Sequence, residues 1–230
     1  MLKEFTINNK VVKLYGNIST KELPVIFLNT YSDNSEEVFN ECLKLSCQNF
    51  LLVAISNLDW NNDMTPWYAP KLNSKDVDCL GKADNYINIL VNNIVPKVED
   101  YLESKDLKIK YCAIAGYSLA GLFALYITYK TNIFTRVISC SGSFWYPKFL
   151  EFIKEHSLNE NIKKMYFSLG NRESKVNNIV LKTVLDRTKE LEKFYHDKGI
   201  KTIYEENPGN HFKDVTLRVA KGIKWILDGN

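Results

Sequence analysis

The segment Ala115-Gly116-Tyr117-Ser118-Leu119-Ala120-Gly121 carries the residues best suited to chemistry in this 230-residue chain. It directly follows the apolar run Tyr111-Cys112-Ala113-Ile114-Ala115 and opens a stretch of helical period. A serine on a sharp strand-to-helix turn must hold strained backbone angles, so the residues two before and two after it must be small. Gly116 and Ala120 meet that demand, Ala120 standing where the pattern G-x-S-x-G has its second glycine. Gly121 lets the new helix approach the sheet. Such a turn aims the Ser118 hydroxyl out of the sheet edge at a helix N-terminus, where backbone N–H groups and the helix dipole favour a developing anion.

A serine hydroxyl is a poor nucleophile until a base takes its proton, which calls for a histidine. There are three. His156 lies in the charged stretch Lys154-Glu155-His156-Ser157, and His196 in the last turn before Gly199. His211 lies in the turn-rich loop Asn207-Pro208-Gly209-Asn210-His211-Phe212 after the last strand, at the sheet edge where the serine points. It also follows Ser118 in chain order, as a serine on a strand–turn–helix elbow requires. His211 is therefore the favoured base.

The third member holds the imidazole in one tautomer and stabilises its cation, a carboxylate's task. Glu173 is the only carboxylate on the loop Gly170-Asn171-Arg172-Glu173-Ser174 and leads, with Glu205 and Glu206 in reserve. Donors to a developing oxyanion are expected from the N–H of Leu119 and from the loop Leu28-Asn29-Thr30-Tyr31-Ser32-Asp33, Tyr31 first and Thr30 next. Two aromatic segments, residues 57–70 with Trp60 and Trp67 and residues 141–147 with Trp145, are expected to shape a substrate pocket.

These residues need a frame. Five short runs are apolar without alternation: Val25–Leu28, Phe50–Ile55, Tyr111–Ala115, Arg136–Cys140 and Met165–Leu169. Strands buried on both faces read this way, and parallel sheets supply that setting. Helices are expected at 35–45, 82–104 with a kink or break at Pro96, 119–130, about 179–198 and about 212–228. Residues 2–8 and 10–15 flank Asn8-Asn9 as a hairpin. The alternation predicts an α/β three-layer sandwich with a mostly parallel central sheet and an N-terminal antiparallel hairpin, as one domain over 1–230. Ligands in such sheets bind at the carboxyl edge of the strands.

Composition removes other classes. Lys+Arg 30 against Asp+Glu 27 gives a net charge of +3, scattered in mixed sign, so no nucleic-acid partner is expected. No run approaches the roughly 20 apolar residues of a membrane span, and the start holds no signal-like stretch. Five cysteines without C-x-x-C spacing argue against a disulfide framework or a zinc site, and point to a reducing cytoplasm. His-x-His, H-E-x-x-H and Walker spacings are absent, so neither a metal nor any other cofactor is expected.

Taken in order, Gly116–Gly121, Ser141-Gly142-Ser143-Phe144-Trp145, Leu169–Glu173 and Gly209-Asn210-His211-Phe212 resemble the "Putative esterase" family of α/β-hydrolases, which includes siderophore esterases and esterase D. The resemblance spans about residues 10–228. It implies an α/β-hydrolase sandwich without a separate lid domain, with Ser118, Glu173 and His211 as nucleophile, acid and base. Glutamate rather than aspartate as the acid is a mild departure. The function implied is hydrolysis of a small-molecule carboxylic ester through an acyl-enzyme. A thioesterase of the S-formylglutathione type and a non-catalytic binding fold stand as alternatives.

Overall fold

Asn8 and Asn9 take left-handed backbone angles (φ 46° and 63°) and close a hairpin between β1 (Lys3–Ile7) and β2 (Lys10–Asn17). Two-residue hairpin loops favour these angles because they match the twist of the strands. The computed structural model describes residues 1–74 and 76–229. Six further strands complete the main sheet, namely β3 (Glu22–Asn29), β4 (Phe50–Ser56) and, after a small pair formed by β5 (Tyr68–Ala69) and β6 (Cys79–Leu80), β7 (Lys108–Tyr117), β8 (Phe134–Cys140), β9 (Lys164–Gly170) and β10 (Lys201–Asn207). Their order is β1-β2-β4-β3-β7-β8-β9-β10. The hairpin joins antiparallel, and every pairing from β4 to β10 is parallel.

Side chains alternate between two cores, one on each face. Val25 and Phe27 of β3 enter one with Leu51, Val53, Ile114 and Phe167, whereas Ile26 and Leu28 enter the other with Leu52, Ala113 and Ile138. Helices α1 (Ser35–Lys44) and α8 (Val215–Leu227) cover the second face through Val38, Cys42, Val219 and Ile223. The first face is covered by α3 (Ala83–Ile89), α4 (Val95–Glu103), α5 (Leu119–Tyr126), α6 (Phe149–Glu155) and α7 (Val184–Asp197). This is the three-layer α/β arrangement read from the runs.

The helix expected at 82–104 is interrupted by a single π-helical stretch, Leu90–Ile94, immediately before Pro96 in the first turn of α4. Proline has no N–H to give and its ring crowds the carbonyl four residues back, which widens the preceding turn. Three features were not among the elements read from the sequence: the short α2 (Trp60–Asp63) and the β5–β6 pair, both inside the segment that joins β4 to α3, and α6.

The strand order reverses at β3. From it the chain goes first to β4 on one side and later to β7 on the other, with Asn29 paired to Gly116 at the carboxyl ends. Sheets of this kind bind ligands at such a crevice.

Candidate active site

Ser118 stands between β7 and α5 with φ 59° and ψ −122°, angles that cost an ordinary residue strain. Its N–H donates to the Cys140 carbonyl (3.0 Å) and its carbonyl accepts from Ser143 N–H (3.1 Å), so the end of β8 and the loop after it hold the turn. A Cβ at Gly116 would lie 2.2 Å from the Ala120 carbonyl oxygen, and one at Gly121 would lie 2.9 Å from the Gly142 Cα. Glycine at these two positions is what lets the turn close and α5 settle on the sheet.

Three strand ends deliver one hydrogen-bonded chain. His211 Nε2 lies 3.0 Å from Ser118 Oγ, and His211 Nδ1 lies 2.7 Å from Glu173 Oε2. The other carboxylate oxygen, Oε1, accepts from Ser141 Oγ (2.6 Å), Gly170 N–H (2.6 Å) and the Arg218 guanidinium (3.0 Å). Glu173 reaches Gly170 because a tight turn after β9 (Glu173 N–H to the Gly170 carbonyl, 3.1 Å) folds its side chain back on its own strand. Burial alone pushes the Glu173 carboxyl up, but the hydrogen bonds from His211, Ser141 and Gly170 outweigh it and leave the group below the ordinary carboxylate range. Glu173 is thus a buried, ionised acceptor, and His211 offers its second nitrogen to Ser118.

The loops that carry Glu173 and His211 are laced together. Asn171 N–H donates to the Asn207 carbonyl (2.8 Å), Arg172 N–H to the Gly209 carbonyl (3.0 Å), and Gly209 N–H to Asn171 Oδ1 (3.0 Å). Tyr117 OH donates to the His211 carbonyl (2.8 Å), and burial pushes its phenol up to about 12, which keeps it a neutral donor.

Leu119 is the first residue of α5, where an N–H has no intrahelical acceptor. On the β3 loop, Thr30 N–H is engaged by the Ile55 carbonyl (2.9 Å), whereas Tyr31 N–H makes no hydrogen bond among the described residues. Two cavities open beside Ser118, His211 and Phe212, which line both. One, of 370 Å³, is walled by Tyr31, Trp60, Val38, Val215 and Val219. The other, of 330 Å³, is walled by Trp145, Arg172, Val176, Leu181 and Val184.

Trp67 is a correction. Its ring packs among Tyr126, Tyr146, Phe149 and Phe152, and its Nε1–H donates to the Pro147 carbonyl (2.8 Å), so it pins its loop onto α5 and α6 and lines neither cavity. Glu205 is tied to Tyr166 OH (2.7 Å) and Lys221 (2.6 Å), away from His211, and Glu206 is exposed. His156 and His196 are exposed on α6 and α7 termini. Arg218, buried beneath Glu173, was missed. An arginine in an amphipathic helix reads as surface, although its place on the apolar face of α8 with Val215, Val219 and Gly222 was visible. Among the described residues, no group of three or more His, Cys, Asp or Glu side chains is placed to hold a metal ion, and no helix is long and apolar enough to cross a membrane.

A serine elbow at the switch point of a largely parallel sheet defines an α/β-hydrolase. Solved structures agree in fold: the siderophore hydrolase EstA from Aspergillus nidulans (TM-score 0.73, 18% identity, 95% of this chain and 89% of that one) and an IroE-like serine hydrolase from Shewanella oneidensis (TM-score 0.73, 17% identity, 95% and 75%). YbbA of Bacillus subtilis (strain 168), an uncharacterized protein, is 23% identical over 187 residues, 78% of this chain and 74% of its own. The model of the "Putative esterase" family matches residues 29–215, and the chain belongs to that family of carboxylic ester hydrolases.

Proposed function

We propose that this chain hydrolyses a small-molecule carboxylic ester through an acyl-enzyme on Ser118. The observation that carries the proposal is the unbroken line from Ser118 Oγ through His211 to Glu173, with contacts of 3.0 and 2.7 Å. His211 takes the Ser118 proton as Oγ attacks the ester carbonyl, and Glu173 stabilises the imidazolium that forms. The oxygen of the tetrahedral intermediate turns to the N–H groups of Leu119 and Tyr31. The intermediate collapses as His211 returns the proton to the leaving alcohol. Water, activated by His211 in the same way, then frees the acid.

The two cavities give the acyl and alcohol parts separate walls. Siderophore triesters belong in the first substrate panel because structural neighbours are named siderophore hydrolases. The thioester S-formylglutathione belongs beside them. The cysteines are all free thiols, four of them buried, which suits a reducing compartment, and we place the reaction in the cytoplasm.

A fluorophosphonate probe and a series of p-nitrophenyl esters of increasing chain length test the proposal. Labelling of the wild type at Ser118, and loss of both labelling and turnover in a folded Ser118→Ala variant, are expected. Equal turnover in that variant overturns the serine mechanism.

A further inference from the structure

Arg218 lies on the apolar face of α8 and is 1% exposed, the largest fully buried side chain of the described residues. A buried guanidinium needs partners for its fixed fork of donors. Here the two terminal nitrogens divide the work. Nη1 donates to Glu173 Oε1 (3.0 Å), to Tyr117 OH (2.9 Å) and to Ser141 Oγ (3.3 Å). Nη2 donates to the carbonyls of Asn210 (3.0 Å) and Pro208 (3.3 Å), which lie just before His211. Gly170 leaves room for this approach: a Cβ there would stand 2.8 Å from Nη2 and 2.5 Å from the Gly209 carbonyl oxygen. The Nε hydrogen finds no partner among the described residues.

The charges around the Glu173 carboxylate are few. His211 faces it from the β10 loop and Arg218 from α8, while Tyr117 of β7, Cys140 of β8 and Tyr204 of β10 are held neutral by burial, their groups pushed up to about 12. Arg218 is therefore the one permanent positive charge on that carboxylate among the described residues. It offsets part of the carboxylate field that reaches His211 through Oε2. Without that offset the carboxylate would favour the imidazolium more strongly over the neutral ring that acts as a base.

We propose that Arg218 is the positioning residue of the site, one guanidinium that fixes the Glu173 carboxylate through Nη1 and the His211 loop through Nη2. It also tempers the hold of the Glu173 carboxylate on the His211 imidazolium. The proposal rests on the reading of Glu173 and His211 as acid and base, and extends it to a residue that lines neither cavity.

The test compares Arg218→Gln and Arg218→Lys with the wild type, using p-nitrophenyl acetate across pH. In Arg218→Gln, kcat is expected to fall by about 10²-fold with KM within about threefold, because the residue touches no substrate. The acid limb of the kcat profile should move upward by roughly 0.5–1 pH unit. Lysine keeps the charge but not the fork. Arg218→Lys should therefore leave the limb in place and still lose about tenfold in kcat from the loosened loop. A folded Arg218→Gln with wild-type kcat and an unmoved limb overturns the proposal. So does an unmoved limb beside a lowered kcat, since that is the mark of packing alone. Should Arg218→Gln show no cooperative melt, the neutral and more apolar Arg218→Met takes its place: a lowered kcat with the limb moved upward supports the proposal, and an unmoved limb overturns it.

The His211 imidazole titration followed by NMR, assigned by its loss in His211→Asn, separates this proposal from the one on which it rests. If the wild type cleaves no ester and Ser118 takes no fluorophosphonate, the esterase mechanism fails. A higher titration midpoint in Arg218→Gln or, where that variant does not fold, in Arg218→Met would then still support the electrostatic role of Arg218. The opposite result in the same variant overturns it.

Discussion

Tyr117 and His211 are joined twice: the Tyr117 hydroxyl donates to the His211 backbone carbonyl at 2.8 Å, and the two rings lie 5.4 Å apart at 60°. The residue before Ser118 thus holds the loop that brings His211 to Ser118. Tyr117→Phe keeps the ring contact and removes that hydrogen bond together with the two the hydroxyl accepts, from Arg218 (2.9 Å) and Ser141 (2.9 Å). Its stability should fall by about 1–3 kcal/mol. The freed loop should also lower kcat by roughly tenfold, read from initial rates with a p-nitrophenyl ester.

Glu173→Gln preserves the shape of the side chain and removes the charge that, in the proposed mechanism, stabilises the His211 cation. A loss of about 10²–10⁴ in kcat is expected, the upper end being the cost of the corresponding amide change in a related triad. Glu205→Gln should stay within about twofold of wild type, because Glu205 is bound to Tyr166 and Lys221. Full activity in Glu173→Gln would reduce the machinery to a Ser118–His211 dyad.

Acid should weaken the fold through the same carboxylate. Glu173 is held below its ordinary value of 4.5, so it binds a proton more readily in the unfolded chain than in the folded one. The stability this contributes is fully present above about pH 4.5 and is lost as the pH falls through the lower folded value. Urea melts of wild type and Glu173→Gln between about pH 3 and 6 should converge towards acid pH. Parallel curves would show that the ionised form gains nothing on folding.

Gly116→Ala tests the elbow without removing a polar group. The added methyl meets the Ala120 carbonyl carbon at 2.3 Å and its oxygen at 2.2 Å, atoms of backbone that cannot swing aside. A loss of about 3 kcal/mol or more is expected in thermal or urea melts, beyond the usual overpacking range if the turn cannot move.

Trp60 and Trp67 should separate by readout. Trp60 lines the larger of the two cavities and meets Tyr31 edge-on at 5.2 Å, so Trp60→Ala should change KM across an acyl chain-length series. Trp67→Ala should leave that series unaltered and cost about 2–3 kcal/mol, less than a fully enclosed tryptophan because the ring is part exposed.

What the sequence shows of this site follows from how local each constraint is. The elbow is written in consecutive residues, and the strand–helix alternation around it in runs such as Phe50–Ile55, so both are legible from spacing alone. Glu173 and His211 are legible one step further, because strand ends predict an edge even when pairing is unknown. Trp67 and Arg218 are not. Trp67 resembles Trp60 in its loop, and only the packing of α6, a helix of seven residues, distinguishes their fates. Arg218 makes its partners on β7 and on the loops after β9 and β10, contacts that depend on the tertiary arrangement rather than on neighbours in the chain.

The pair of cavities that meet at Phe212 has a bearing on inhibitor chemistry. Each is the size of a small fragment, 370 and 330 Å³, and the exposed Phe212 ring forms part of both walls. Two weak fragments, one stacked near Trp60 and one near Trp145, would lie on either side of the same hydroxyl. A short tether across Ser118 would make the second binding event intramolecular, and a matched span can raise affinity by about 10²–10⁴ without a new contact. An electrophile placed at the middle of such a tether would arrive at Ser118 with both arms already seated.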